Sequence, residues 1–150
     1  MNPQLKRQRP PVPAPGIGLR SRDLIALLDS AYLWMRVGRE PIAEAVLDGL
    51  CALAPSWHYP HLARALLAEL KEDYRGALTM LRTAQKLSAG QDGSLIHMHL
   101  GEVLACLGKL PEARRELKAA IELDPRGTSG QWAEQRLRSL SSTPKMQPPR

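Results

Sequence analysis

From about residue 22 to residue 140, apolar side chains return every three or four positions, the period of an amphipathic helix. Leu27, Ala31 and Trp34 make one such stripe, and Leu100 with Leu104 another. The pattern predicts helices over about 22–37, 40–53, 58–71, 74–88, 94–107 and 110–123, with a last one over about 129–140. The breaks carry their own chemistry. Gly38 and Gly108 permit a left-handed helix end. Pro41 and Pro111 suit the first turn of the next helix, where no backbone bond is lost. Pro55 and Pro125 stop the helices before them. The expected fold class is all-α.

The helices pair into units that repeat. Ala43, Ala77 and Ala113 recur at intervals of 34 and 36 residues. Leu47, Leu81 and Leu117 follow each of them by four positions, and Leu50, Ala84 and Ala120 by seven. Upstream, Ala31, Ala65 and Gly101 share a slot, as do Gly38, Glu72 and Gly108. The units are 24–57, 58–93 and 94–127, the second lengthened by two residues near Gly90-Gln91-Asp92. Small residues at a recurrent slot let facing helices approach closely.

This arrangement resembles the tetratricopeptide repeat family of helix–turn–helix units. The third unit carries the likeness best, in Leu100-Gly101, Leu104, Ala113, Leu117, Ala120 and Pro125. The first carries it in Ala31, Trp34, Gly38, Ala43, Leu47 and Pro55, and the second in Tyr74, Ala77, Leu81 and Ala84. The second departs from the pattern at Arg64, where leucine is usual. The resemblance implies three repeats in a right-handed superhelix over 21–140. Helix 129–140 would cap the last repeat, with Trp132 as its anchor.

The family also implies which slots face inward, on the first helix of each pair. In phase they are Ile25, Tyr59 and Leu95; Leu28, Leu62 and Met98; Tyr32, Leu66 and Glu102; Met35, Glu69 and Ala105; Arg36, Leu70 and Cys106. Some members of the family clamp an acidic tail with Lys, Arg and Asn at these slots. That clamp is missing here. The expected binding groove is apolar, lined by Ile25, Leu28, Tyr32, Met35, Tyr59, Leu62, Leu66, Leu70, Leu95 and Met98. Such a groove suits an amphipathic helix or an extended segment with aliphatic anchors. The competing expectation is that this stripe is core, or is buried against a second copy of the chain in a homodimer. Each first helix has a second apolar stripe, such as Leu27, Ala31 and Trp34, that suffices for packing, which favours the groove.

Charge changes this reading little. The net charge is +6. Lys6, Arg7, Arg9 and Arg20 lie in residues 1–20, and Lys145 and Arg150 in residues 141–150, with no acid in either segment. The body between them is neutral, unlike a folded nucleic-acid module with a basic face, so no nucleic-acid partner is expected. Residues 1–20 read as a disordered, proline-rich arm and 141–150 as a disordered tail. There is no run of 18 apolar residues, so no membrane insertion is expected. Pro-Pro-Val-Pro-Ala-Pro stands where a signal peptide has its apolar core, and cytoplasmic residence is the working expectation.

Candidate chemistry is sparse. Cys51 and Cys106 have neither disulfide-framework nor zinc spacing. His61 and His97 occupy equivalent slots on different helices, too far apart for a shared metal. Glu112, Glu116 and Glu122 read as a solvated helix face. No phosphate-binding glycine loop is present. The chain is therefore expected to be no enzyme and to carry no metal or cofactor. It reads as a protein-binding module whose partner is another protein. Val46 to Leu53 is similar to the end of the first unit in the small bacterial type III secretion chaperones of the family, which points to a chaperone. A scaffold subunit in a larger assembly is the alternative.

Overall fold

The structure is a computed structural model describing residues 18–142. The tail from residue 143, and the arm up to residue 17, lie outside the described residues. Seven helices follow in order, with no strand among the described residues: α1 Ser21–Arg36, α2 Glu40–Leu53, α3 His58–Leu70, α4 Tyr74–Ser88, α5 Gly93–Cys106, α6 Leu110–Leu123 and α7 Thr128–Ser142. They form two compact units that meet in sequence at Gly90 and Gln91.

The first unit holds α1 to α4. Its core gathers Leu24, Leu28 and Ala31 of α1, Ala43, Leu47 and Leu50 of α2, and Tyr59, Ala63 and Leu67 of α3, with Trp57 beside them. The alanines fall where helices face each other, so backbones approach closely around the leucines. Pro41 sits in the first turn of α2, as expected. The Asp73 carboxylate accepts a hydrogen bond from the Gly76 amide at 2.9 Å and caps α4.

The slot shared by Gly38, Glu72 and Gly108 has one physical reason. All three adopt left-handed backbone, with φ of 72°, 58° and 76°. Each ends a first helix, where an amide beyond the turn bonds back to a helix carbonyl: Arg39 to Trp34, Asp73 to Ala68 and Lys109 to Leu104. Glu72 reaches this geometry against the steric cost of its Cβ. Glu72→Gly is therefore expected to stabilise the first unit by about 0.5–1 kcal/mol. Urea unfolding checks it, and a loss of stability would contradict the strain.

The second unit holds α5 to α7. Gly101 of α5 packs directly on Leu117 of α6. Leu117, Ala120 and Ala133 form a buried cluster that Met98, Ile121, Leu137 and Leu140 join from the sides. The Ser94 hydroxyl donates to the Ala120 carbonyl at 2.8 Å. His97 Nδ1 lies 2.6 Å from Glu116 Oε2. Glu116 is thus drawn against α5 and is no member of a solvated face. The last helix is present over a slightly longer span than expected, but Trp132 is 38% exposed, too open to anchor it. Ala133, Leu137 and Leu140 make its apolar contact instead.

Candidate peptide-binding groove

The candidate site lies in the first unit, where the last turns of α1 and α3 run side by side. Tyr32, Met35 and Arg36 of α1 and Leu66, Glu69 and Leu70 of α3 line a hollow of about 600 Å³. Its positions follow from helix geometry. Tyr32 and Met35, and Leu66 and Leu70, are three and four apart, so each pair shares a face. The face next to it is the core stripe, Leu24, Leu28 and Ala31 on α1, and Ala63 and Leu67 on α3. Tyr32, Met35 and Leu66 are half-buried, and Leu70 is 60% exposed. The walls are apolar, and the two charges are one cation and one acid.

The ten residues assigned to the groove from sequence therefore divide. Tyr32, Met35, Leu66 and Leu70 line the hollow. Ile25 is half-buried and packs against the core. Leu28, Tyr59 and Leu62 are 0%, 5% and 1% exposed, so they are core residues that no ligand touches without unfolding. Each first helix packs against more than one neighbour, and its buried arc is wider than one stripe. Met98 belongs to the second unit and leans on the cluster shared with α7. Glu102, at the next inward slot, is bound by the Arg136 guanidinium through both carboxylate oxygens. In that unit the last helix covers the face that the repeat pattern assigned to a ligand. Leu95 is half-buried in the same helix. Arg36 and Glu69 have inward slots in the repeat pattern, yet selection for apolar residues passes over them.

A second cluster sits between α2 and α3. Cys51 Sγ is 3.9 Å from His61 Nδ1. Arg64 of α3 forms an ion pair with Asp48 of α2 at 3.1 Å, and Lys71 with Glu44 at 3.2 Å. Burial pushes the Cys51 thiol up from its ordinary 9.0, against the pull of Arg64. Burial pushes His61 down from its ordinary 6.5, with the Pro55 carbonyl opposing and Arg64 and His58 assisting. Both groups are held neutral, which argues for packing rather than nucleophilic work. Among the described residues, no three His, Cys, Asp or Glu side chains stand close enough to hold a metal. No helix among them is long and apolar enough to cross a membrane.

These shifts have a sign. Between the lowered folded value of His61 and 6.5, the unfolded chain binds more protons, so stability falls as pH drops below 6.5. Above about 9.0 the unfolded chain loses the Cys51 proton first, so stability falls again as pH rises. Urea midpoints measured between about pH 5 and 7.5 should drop toward the acid side. His61→Gln should flatten that drop, and an unchanged slope would remove His61 as its source.

Comparison with known proteins agrees with this architecture. Residues 94–126 match the family pattern of the tetratricopeptide repeat. No curated protein matches the chain by sequence. Among solved structures, the first tetratricopeptide domain of Spaghetti (RPAP3), bound to an HSP90 peptide, superposes with a TM-score of 0.72. It is 20% identical, over 84% of this chain and 96% of that one. The type III secretion translocator chaperone SycD of Yersinia enterocolitica gives 0.72 at 20% identity, over 80% of this chain and 91% of its own. PcrH of Pseudomonas aeruginosa gives 0.72 at 18% identity, over 83% and 96%. Likeness at these identities speaks for the fold. The chain has the all-helical tetratricopeptide-repeat fold, and residues 94–126 are a tetratricopeptide repeat.

Proposed function

We propose that the protein is a non-catalytic binding module that holds an apolar segment of a partner protein in the hollow between α1 and α3. One observation carries this reading. Tyr32, Met35, Leu66 and Leu70 form an open, largely apolar surface at the edge of the core, against which Tyr32 and Met35 also pack. An exposed apolar depression with few polar groups is what an aliphatic anchor fills. Met35 can re-pack around anchors of different shape. Arg36 is the one cation in the lining, and Glu69 stands with it. An acidic peptide, such as the HSP90 segment held by the RPAP3 domain, would meet apolar walls and one opposing carboxylate. The surface is better suited to shielding a partner's apolar segment, and we read the protein as a chaperone of the type III secretion kind, the class named for SycD.

Selection from a displayed library of random segments, each about 15 residues long, tests the groove. Enriched segments should carry spaced aliphatic residues. Leu66→Asp should weaken them by about tenfold or more, since it places a charge against an apolar anchor. Segments that bind wild type and Leu66→Asp equally would remove the groove from the function.

A second reading, a scaffold subunit within a larger assembly, rests on a different surface. Leu33 and Val37 are exposed one turn apart at the end of α1, and Ile42 is exposed at the start of α2. A permanent interface there would survive Leu66→Asp and fail on Leu33→Asp.

A further inference from the structure

We propose that the outer side of α2 is the interface of a homodimer, in which two copies of this chain pair about a two-fold axis with their α2 helices antiparallel. The residues involved are not those of the hollow, so the proposal stands or falls apart from the groove reading.

The sequence of α2 divides by side. Glu44 and Asp48 are drawn to α3 by Lys71 and Arg64, and Cys51 faces His61 there. The opposite side carries Ile42, Ala45, Val46, Gly49, Ala52 and Leu53, three and four apart along the helix. None of these is charged. Ile42, Ala45, Gly49 and Ala52 are exposed, while Val46 and Leu53 are half-buried. Among the described residues, no helix precedes α1 to cover this side of the first unit.

The repeats supply an internal control. In register, the slots of Ile42, Ala45 and Ala52 hold Glu112, Arg115 and Glu122 on α6. The same kind of unit therefore accepts charge at these slots, and the water-facing end of a repeat stack normally carries it. Gly49 adds a second observation. Glycine weakens a helix interior relative to alanine. A Cβ at Gly49 would meet nothing within 4 Å, so nothing inside the molecule excludes a side chain there. Gly101 is the contrast, since its missing Cβ makes room for Leu117. At Gly49 the room lies outside, where a second helix can approach closely.

Shape selects a second copy as the occupant. The bulky Ile42 stands in the first turn of α2, and the small Gly49 and Ala52 stand toward its end. Antiparallel pairing centred near residue 47 brings Ile42 of each copy onto Ala52 of the other, and Ala45 onto Gly49. The two-fold axis makes each of these contacts twice. Charge agrees with this direction. Arg39 is exposed immediately before α2, and the pairing carries it to the last turn of α2 in the other copy. That turn has no basic residue of its own, and its carbonyls favour a cation. Parallel pairing would instead set Arg39 beside Arg39. Size sets the strength. Two helices of roughly 21 Å bury less than the standard of about 800 Å² per partner, so half-dissociation is expected at tens of micromolar.

Sedimentation velocity on the full-length chain, from about 1 to about 300 µM, tests the pairing. The average mass should rise from monomer toward dimer across that range. Ala52→Glu and Ile42→Lys should each weaken association about tenfold or more, because each places a charge against an apolar side chain. Both positions are exposed, so circular dichroism should show each variant folded. The double variant should recover most of the loss, because the two-fold axis sets the new charges opposite each other. Within one chain they stand about 15 Å apart and do not meet. Leu66→Asp should leave association unchanged. A chain that stays monomeric at about 300 µM overturns the proposal. So does a dimer that neither single variant weakens, and a dimer lost through Leu66→Asp puts the second copy in the hollow instead. A double variant that recovers nothing rules out the antiparallel pairing.

Discussion

Changing Leu28 to alanine is expected to cost the first unit about 3 kcal/mol, whereas Leu66→Ala should cost under about 1 kcal/mol. Both leucines were assigned to the groove from the repeat pattern, and only their surroundings differ. Leu28 is fully buried, among Leu24, Ala31, Leu47 and Leu50 of its cluster. Removing its branched end leaves a cavity that the packed leucines around it fill only in part. Leu66 is half-buried on the wall of the hollow, so solvent or a ligand replaces what alanine removes. Urea unfolding followed by tryptophan fluorescence measures both, with Trp132→Phe present so that Trp34 and Trp57 report on the first unit. Equal losses for the two variants would show that the wall and the core have been confused.

Gly101→Val is expected to destabilise the second unit by about 2–3 kcal/mol. A Cβ at Gly101 would lie 2.6 Å from Cγ and from Cδ2 of Leu117, and 3.3 Å from the Ala113 carbonyl oxygen. Leu117 is fully buried, so it has no empty rotamer to move into. The gain in helix propensity over glycine, about a few tenths of a kcal/mol, is too small to offset the overlap. Leu117→Ala alone should cost about 2–5 kcal/mol through its cavity. The double variant should lose clearly less than the two single losses combined, because the added methyls fill the space that Leu117 vacates. Strict additivity in circular dichroism melts would exclude a direct contact between the two residues.

The sequence was most informative where local chemistry decides the outcome. Every helix lies within two residues of its expected span, and Gly38, Gly108, Pro41, Pro55, Pro111 and Pro125 bound the first and third pairs through their own backbones. The groove was only partly legible. Each first helix carries two adjacent apolar stripes, and periodicity alone does not say which is the more deeply buried. Leu24 and Leu28 lie at the centre of the buried arc of α1, while Leu27 and Trp34, expected to carry the packing, are only half-buried. Met98 was lost to the groove for a different reason. The helix that covers it starts 30 residues later in the chain, at Thr128, and no local pattern announces that contact. Glu72 was placed in the correct slot, but a glutamate does not advertise the left-handed angle that its neighbours in register, both glycines, make plain.

The connection from α4 to α5 takes up the two residues by which the second interval exceeds the first. Ala89, Gly90 and Asp92 are all left-handed, and Ala89, Gly90 and Gln91 are exposed. The two residues that break the 34-residue interval fall here, in a stretch whose backbone belongs to neither helix. Insertions accumulate where exposed backbone is not committed to packing. This short stretch is where a lineage can add or remove residues while both neighbouring cores keep their register.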